Sequence, residues 1–172
     1  MRIAIAALSL AMLAAPAYAQ ATTAKADIVG LDGTSHGTLT LTAADGGVHI
    51  TGDLTGIPEG EHGIHIHETG VCDAAVKFES AGAHFNPTDH KHGSENPEGP
   101  HAGDLPNITA AADGAAKVDV TDSTVMLGEG PANLLDADGA AIVIHAAPDD
   151  YKTDPSGNSG DRIACGVVQG GS

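Results

Sequence analysis

The stretch Gly37-Thr38-Leu39-Thr40-Leu41-Thr42, followed by Asp45-Gly46-Gly47 and Val48-His49-Ile50-Thr51-Gly52-Asp53-Leu54, reads as a β-hairpin. Apolar and polar residues alternate along both runs. Successive strand side chains point to opposite faces, so each run carries one face for a core and one for solvent. Working outward, Ala26-Asp27-Ile28-Val29 opens an earlier strand before the turn Asp32-Gly33, and Gly63-Ile64-His65-Ile66-His67 follows the turn Pro58-Glu59-Gly60. The same period returns at Ala115 to Val120, Thr124 to Leu127, Ala140 to His145 and Ile163 to Val168. About eight short strands separated by turn formers, with no amphipathic helix, predict an all-β fold, an antiparallel Greek-key barrel or sandwich.

Two stretches interrupt the alternation. Glu68 to Gly114 is rich in Gly, Pro, Asn and His, and Ala147 to Arg162 holds Pro148, Asp149-Asp150, Pro155 and Ser156-Gly157-Asn158-Ser159-Gly160. Loops of this length in a compact domain are mostly functional or disordered. The histidines and the cysteine of the first favour function. Neither an internal repeat nor a domain boundary is visible.

Met1-Arg2, the apolar run Ile3 to Leu13 and the small-x-small triplet Ala17-Tyr18-Ala19 have the layout of a secretory signal peptide over residues 1–19. The run falls short of the roughly 20 residues that span a bilayer, a retained anchor being the alternative reading. Residues 20–172 are then one exported domain, with the periplasm as the expected compartment and secretion as the alternative. The formal charge of −16 repels polyanions, so nucleic acid and anionic membrane are not expected partners. Beyond the signal only Phe78, Phe85 and Tyr151 are aromatic, which leaves the core to Ile, Val, Leu and Ala. Cys72 and Cys165 form the expected disulfide of an exported chain; free thiols or thiolate metal ligands are the alternatives.

His65 and His67 stand two apart on an expected strand and so share a face, from which two imidazoles can reach one metal; His145, ending another strand, could add a third. His-x-His alone fits a structural pair equally well. The long loop adds His84, His92, His101 and Asp104. Three imidazoles and a carboxylate complete a tetrahedral zinc set, and such a loop needs something to order it.

Five motifs now come together: Gly63-Ile64-His65-Ile66-His67-Glu68, Gly82-Ala83-His84-Phe85-Asn86-Pro87, Lys91-His92-Gly93, His101-Ala102-Gly103-Asp104-Leu105 and Gly160-Asp161-Arg162-Ile163-Ala164-Cys165-Gly166. In order and spacing they resemble the copper/zinc superoxide dismutases, from about Ile28 to Val168. The exported bacterial members are most similar, judging by the leader and by Ala147-Pro148-Asp149-Asp150-Tyr151-Lys152.

The resemblance implies disproportionation of superoxide anion at a redox-active copper, with zinc tuning and holding the site. It implies copper on His65, His67, His84 and His145, and zinc on His84, His92, His101 and Asp104, with His84 shared. Asp149 would link His65 to His92, Arg162 would dock the substrate, and a Cys72–Cys165 disulfide would pin the long loop to the last strand. His84 would also carry protons. The loop from Asp149 to Arg162 is shorter than in animal and plant members, so Lys77 or Lys152 is expected to take over the guidance that its extra charges provide there. Bacterial members occur as monomers and dimers, which leaves a homodimer open. His36, His49, His62 and His90 match no ligand position and read as structural or solvent-facing. Asn107-Ile108-Thr109 is a glycosylation triplet that a bacterial export route leaves bare.

Two rival readings remain at this level. A metal store or copper chaperone on the same fold would need the ligands but neither Arg162 nor Asp149. A β-sandwich adhesion module would need no metal at all.

Overall fold

The computed structural model describes residues 23–171; the signal peptide expected over residues 1–19 lies outside them. The strands are β1 (Thr23–Gly30), β2 (Ser35–Ala44), β3 (Gly47–Leu54), β4 (Gly60–His62), β5 (Ile64–His67), β6 (Ile108–Ala110), β7 (Ala116–Asp122), β8 (Ala141–His145) and β9 (Arg162–Gly170). All pairings are antiparallel, and the nine strands form one sheet in the order β4-β6-β7-β3-β2-β1-β9-β8-β5.

The two ends of that order meet at one residue. β4 ends at His62 and β5 begins at Ile64, so Gly63 alone joins opposite edges of the sheet and nearly closes it into a barrel. The Gly63 N–H donates to Ala147 O (2.9 Å), and its carbonyl accepts from His145 N–H (2.8 Å). Two long connections pass over the sheet, from β5 to β6 and from β7 to β8, the Greek-key type of connection expected from the sequence.

Alternation places the core. Ile28, Leu39, Leu41, Val48, Ile50, Ile64, Ile66, Ile142 and Ile144 fill the barrel and are fully buried. On β5 the period of two therefore turns Ile64 and Ile66 inward and sends His65 and His67 to the outer face. That face is also buried, because the long loop covers it. The opposite face of β8 packs Ala141 and Val143 with Cys165 against Phe78 and Ala81 of the loop. Among the described residues no helix is long and apolar enough to cross a membrane.

The expected strands appear with two changes. Gly63–His67 is shortened to β5, its glycine acting as the hinge to β4. Thr124 to Leu127 is not a strand. Val125 and Leu127 are buried there, which produces the alternation, but Met126 bonds through N–H to Ala132 O and through C=O to Leu134 N–H, both 2.9 Å, within its own loop. β4 and β6, three residues each, are too short for a periodic signal.

Cys72 and Cys165 are joined, with Cα atoms 5.8 Å apart. Cys165 is fully buried in β9, so the bond fastens the loop to the barrel. Closing a loop of 93 positions should make Cys72→Ala lose about 2–4 kcal/mol of stability in denaturant titration. An unchanged midpoint would show that the covalent tie is not what holds the loop.

Candidate metal centre

β5 has a free edge, and the long loop occupies it. Ile66 N–H donates to Gly103 O (2.9 Å) and Phe85 N–H to Ile66 O (2.8 Å). Isolated bridges pair His67 with His84 and His65 with Asp104. An unpaired strand edge is thereby satisfied, and the same bonds set two loop residues beside the two strand histidines.

His65, His67, His84 and His145 converge, all buried. Each of three uses one ring nitrogen on a fixed protein acceptor. His65 Nε2 donates to Asp149 Oδ2 (2.7 Å), His67 Nδ1 to Gly82 O (3.0 Å) and His145 Nδ1 to Gly160 O (3.2 Å). The remaining nitrogens, His65 Nδ1, His67 Nε2 and His145 Nε2, together with His84 Nε2, are buried without a partner. They are four of the five such side-chain atoms among the described residues. Buried polar atoms are nearly always paired, so four orphans at one point fit a metal ion.

His84 faces both ways. Its Nδ1 lies 2.8 Å from Asp104 Oδ1, in a second cluster with His92 and His101. His92 Nδ1 is 3.0 Å and His101 Nδ1 3.3 Å from that same oxygen. Asp104 Oδ2 accepts the backbone N–H groups of Gly93 (2.9 Å) and His101 (3.0 Å), which fixes the carboxylate. Asp149 spans the two clusters, taking His65 on Oδ2 and His92 Nε2 on Oδ1 (3.0 Å). The seven metal ligands expected from the sequence, together with Asp149, thus lie in one compact assembly.

Arg162 is anchored by the loop. Nη1 donates to Phe78 O and Nη2 to Gly82 O, both 2.7 Å. It lines a cavity of about 300 Å³ with His67, His84, His145 and Glu79, and is the one lysine or arginine in that lining. Of the two lysines considered for guidance, Lys152 is paired with Glu95 at 2.6 Å, while Lys77 is exposed and in no ion pair among those found in the described residues.

A chain of this composition is similar throughout to known proteins. The profile described as Copper/zinc superoxide dismutase (SODC) matches residues 35–168. The chain belongs to the copper/zinc superoxide dismutase family. Cu-Zn superoxide dismutase 1 of Aquifex aeolicus is 47% identical over 161 residues, covering 92% of this chain and 95% of its own. The Cu-Zn superoxide dismutase of Caulobacter vibrioides is 48% identical over 142 residues, 80% of each chain. A double mutant of a SOD-like protein from Bacillus subtilis superposes with a TM-score of 0.81 at 43% identity, over 85% of this chain and 97% of its own. As a superoxide dismutase this chain is an enzyme with superoxide as substrate and copper and zinc as cofactors. Its disulfide suits an exported type.

Three supporting residues were not singled out as such from sequence. Asn107, met there as a glycosylation triplet, uses its side chain on Asp149: Nδ2 donates to Asp149 O (3.0 Å) and Oδ1 accepts Asp149 N–H (2.9 Å). His62, read as structural, is buried and bridges His145 O (2.7 Å) and Pro58 O (2.8 Å), tying a site strand to the barrel end. Gly157 has φ +63°, and a Cβ there would overlap Asp149 Oδ1 and His92 Nε2; only glycine lets the loop lie over that carboxylate. None of these carries a periodic or spacing signal. His36 and His49 bond to Thr55 O and Asp119, and His90 is exposed, as expected of non-ligands.

The metal-free site titrates in opposite senses. Burial, aided by neighbouring imidazoles, holds His145 to about 3; burial also holds His84 to about 4, against the pull of Asp104, and lowers His67. For His92 burial is outweighed by hydrogen bonds to Asp104 and Asp149, and it rises to about 9. Burial raises Asp104 and Asp149, but their histidine donors overturn this and hold both below the usual carboxylate range. Below the ordinary histidine value of about 6.5 the unfolded chain takes up protons that folded His67, His84 and His145 refuse, so stability falls. The raised His92 contributes fully below about 6.5, and its contribution is lost as pH rises through about 9. The depressed carboxylates add stability above about 4 that disappears in stronger acid. Calorimetry of the metal-free protein should therefore find its highest midpoint near pH 7–8, and lower ones at about pH 5 and pH 10. A flat profile over that range would contradict these assignments.

Proposed function

We propose that His65, His67, His84 and His145 hold the copper, that His84, His92, His101 and Asp104 hold the zinc, and that the chain converts two superoxide ions and two protons to dioxygen and hydrogen peroxide. The observation that carries this reading is the convergence of four unpartnered imidazole nitrogens, three of them on rings that line a cavity whose lining also holds Arg162. The division between metals follows from access. His67, His84 and His145 line the cavity, so the four-imidazole cluster keeps a side open to a small anion. The other cluster is closed by a buried carboxylate and three buried imidazoles, the form of a structural zinc site.

Copper bound there supplies the one-electron exchange that a radical anion requires. The remaining work falls to side chains. Arg162, its guanidinium held by two carbonyls, attracts and orients superoxide; superoxide dismutases are themselves a standard illustration of such steering. His84 Nε2 faces the cavity side and would carry one proton per cycle to the reduced substrate whenever that nitrogen is not engaged by the metal. Asp149 keeps His65 and His92 in the tautomers that aim their other nitrogens inward.

Residues 1–19 act in this reading as a signal peptide, and residues 20–172 work in the periplasm. The charged start, apolar run and Ala17-Tyr18-Ala19 support it, as does a disulfide that an oxidising compartment preserves.

The enzyme is separated from a metal store by Arg162. Arg162→Ala should lower the second-order rate with superoxide by about ten-fold or more, the worth of a charge-assisted hydrogen bond, with copper and zinc content unchanged. Arg162→Lys should retain more activity than Arg162→Ala, since charge survives without the planar fork. Pulse radiolysis beside metal analysis checks both, and wild-type rates in both variants would remove the docking role.

A further inference from the structure

Glu79 stands beside Arg162 in a loose, exposed pair. Its Oε2 lies 3.5 Å from Arg162 Nη2, beyond a good hydrogen bond, and its side chain is 71% exposed while that of Arg162 is 14% exposed. Three lysine pairs elsewhere on the surface, with Asp27, Asp119 and Glu95, are shorter at 3.2, 3.0 and 2.6 Å, while Lys91 and Asp154 stand 3.4 Å apart. The looser contact has a cause. Arg162 already gives N–H groups to Phe78 O and Gly82 O, which fix the guanidinium where it is.

The backbone of Glu79 is fixed as well. It opens the 3₁₀ turn Glu79–Ala81, between the two residues whose carbonyls hold Arg162, in the loop fastened by the disulfide. Only the exposed side chain is free to move. Its carboxylate has the charge of the substrate and lines the same cavity as Arg162, His67, His84 and His145.

We propose that Glu79 is a tethered competing anion, a positioning residue that occupies part of the Arg162 guanidinium edge and so limits how readily superoxide or another small anion reaches the channel. The proposal deepens the reading of Arg162 as the docking group and rests on it. With the carboxylate gone the guanidinium presents its full charge to the cavity; with it in place, an arriving anion must displace it. A carboxylate that swings outward through solvent does so without disturbing the two carbonyl bonds, which keeps the guanidinium oriented whether the pair is open or closed.

The test uses the metal-loaded enzyme and two readouts. Glu79→Gln, which keeps shape and removes charge, should raise the second-order superoxide rate at low ionic strength by about two- to five-fold, the range that an exposed ion pair spans. It should tighten azide binding, followed by optical titration, by a similar factor, and make the rate fall more steeply with added salt. The same change made on Arg162→Ala should have a clearly smaller effect on both readouts. An unchanged or lower rate and azide affinity for Glu79→Gln would overturn the proposal. So would an equal gain in both backgrounds, since Glu79 would then act only through the general field of the protein. Failure of the underlying reading looks different: Arg162→Ala alone would match wild type.

Discussion

A buried imidazole nitrogen that has lost water and gained no partner costs free energy, and this fold brings four of them to one point. The arrangement is stable only because the other nitrogen of each ring is committed: His65 to Asp149, His67 to Gly82, His145 to Gly160 and His84 to Asp104. His84 is the pivot, since its two nitrogens belong to two clusters that Asp149 also spans. Burial makes each of His67, His84 and His145 a poor home for a proton and so a ready electron-pair donor.

The rest of the molecule serves that constraint. Strand alternation sends Ile64 and Ile66 into the barrel, and so must send His65 and His67 outward. The outward face would be wet if the loop did not pair with the edge of β5 and if the disulfide did not draw the loop onto β9. The same loop supplies the carbonyls of Phe78 and Gly82, so the tie that shelters the imidazoles also sets Arg162 at the cavity. Gly82 O accepts from both His67 and Arg162, a direct link between a site imidazole and the guanidinium at the cavity. On a surface of net charge −16 that local positive charge has to be fixed in place to matter to an anion.

Much of this was legible in the sequence for physical reasons. A period of two predicts which face His65 and His67 share, and closely spaced loop ligands such as His101 and Asp104 need little tertiary knowledge to be grouped. The long-range placements came through the likeness of whole motifs, since nothing local brings His145, Asp149 or Arg162 beside His84. Thr124 to Leu127 misled because a loop can bury alternate side chains while its hydrogen bonds stay within itself. The site roles of Asn107, His62 and Gly157 are backbone bonds and a close approach, which leave no pattern along the chain.

The central claim is that two different metals share His84, with copper on the unpartnered nitrogens and zinc on the side of Asp104. Crystals of the metal-loaded protein, with anomalous diffraction recorded at the copper and zinc edges, test it most directly. The account predicts one copper within bonding distance of His65 Nδ1, His67 Nε2, His84 Nε2 and His145 Nε2, and one zinc bonded to His84 Nδ1, His92, His101 and Asp104. A copper-edge signal on the Asp104 side, or a single ion with His84 bound through one nitrogen only, would contradict it.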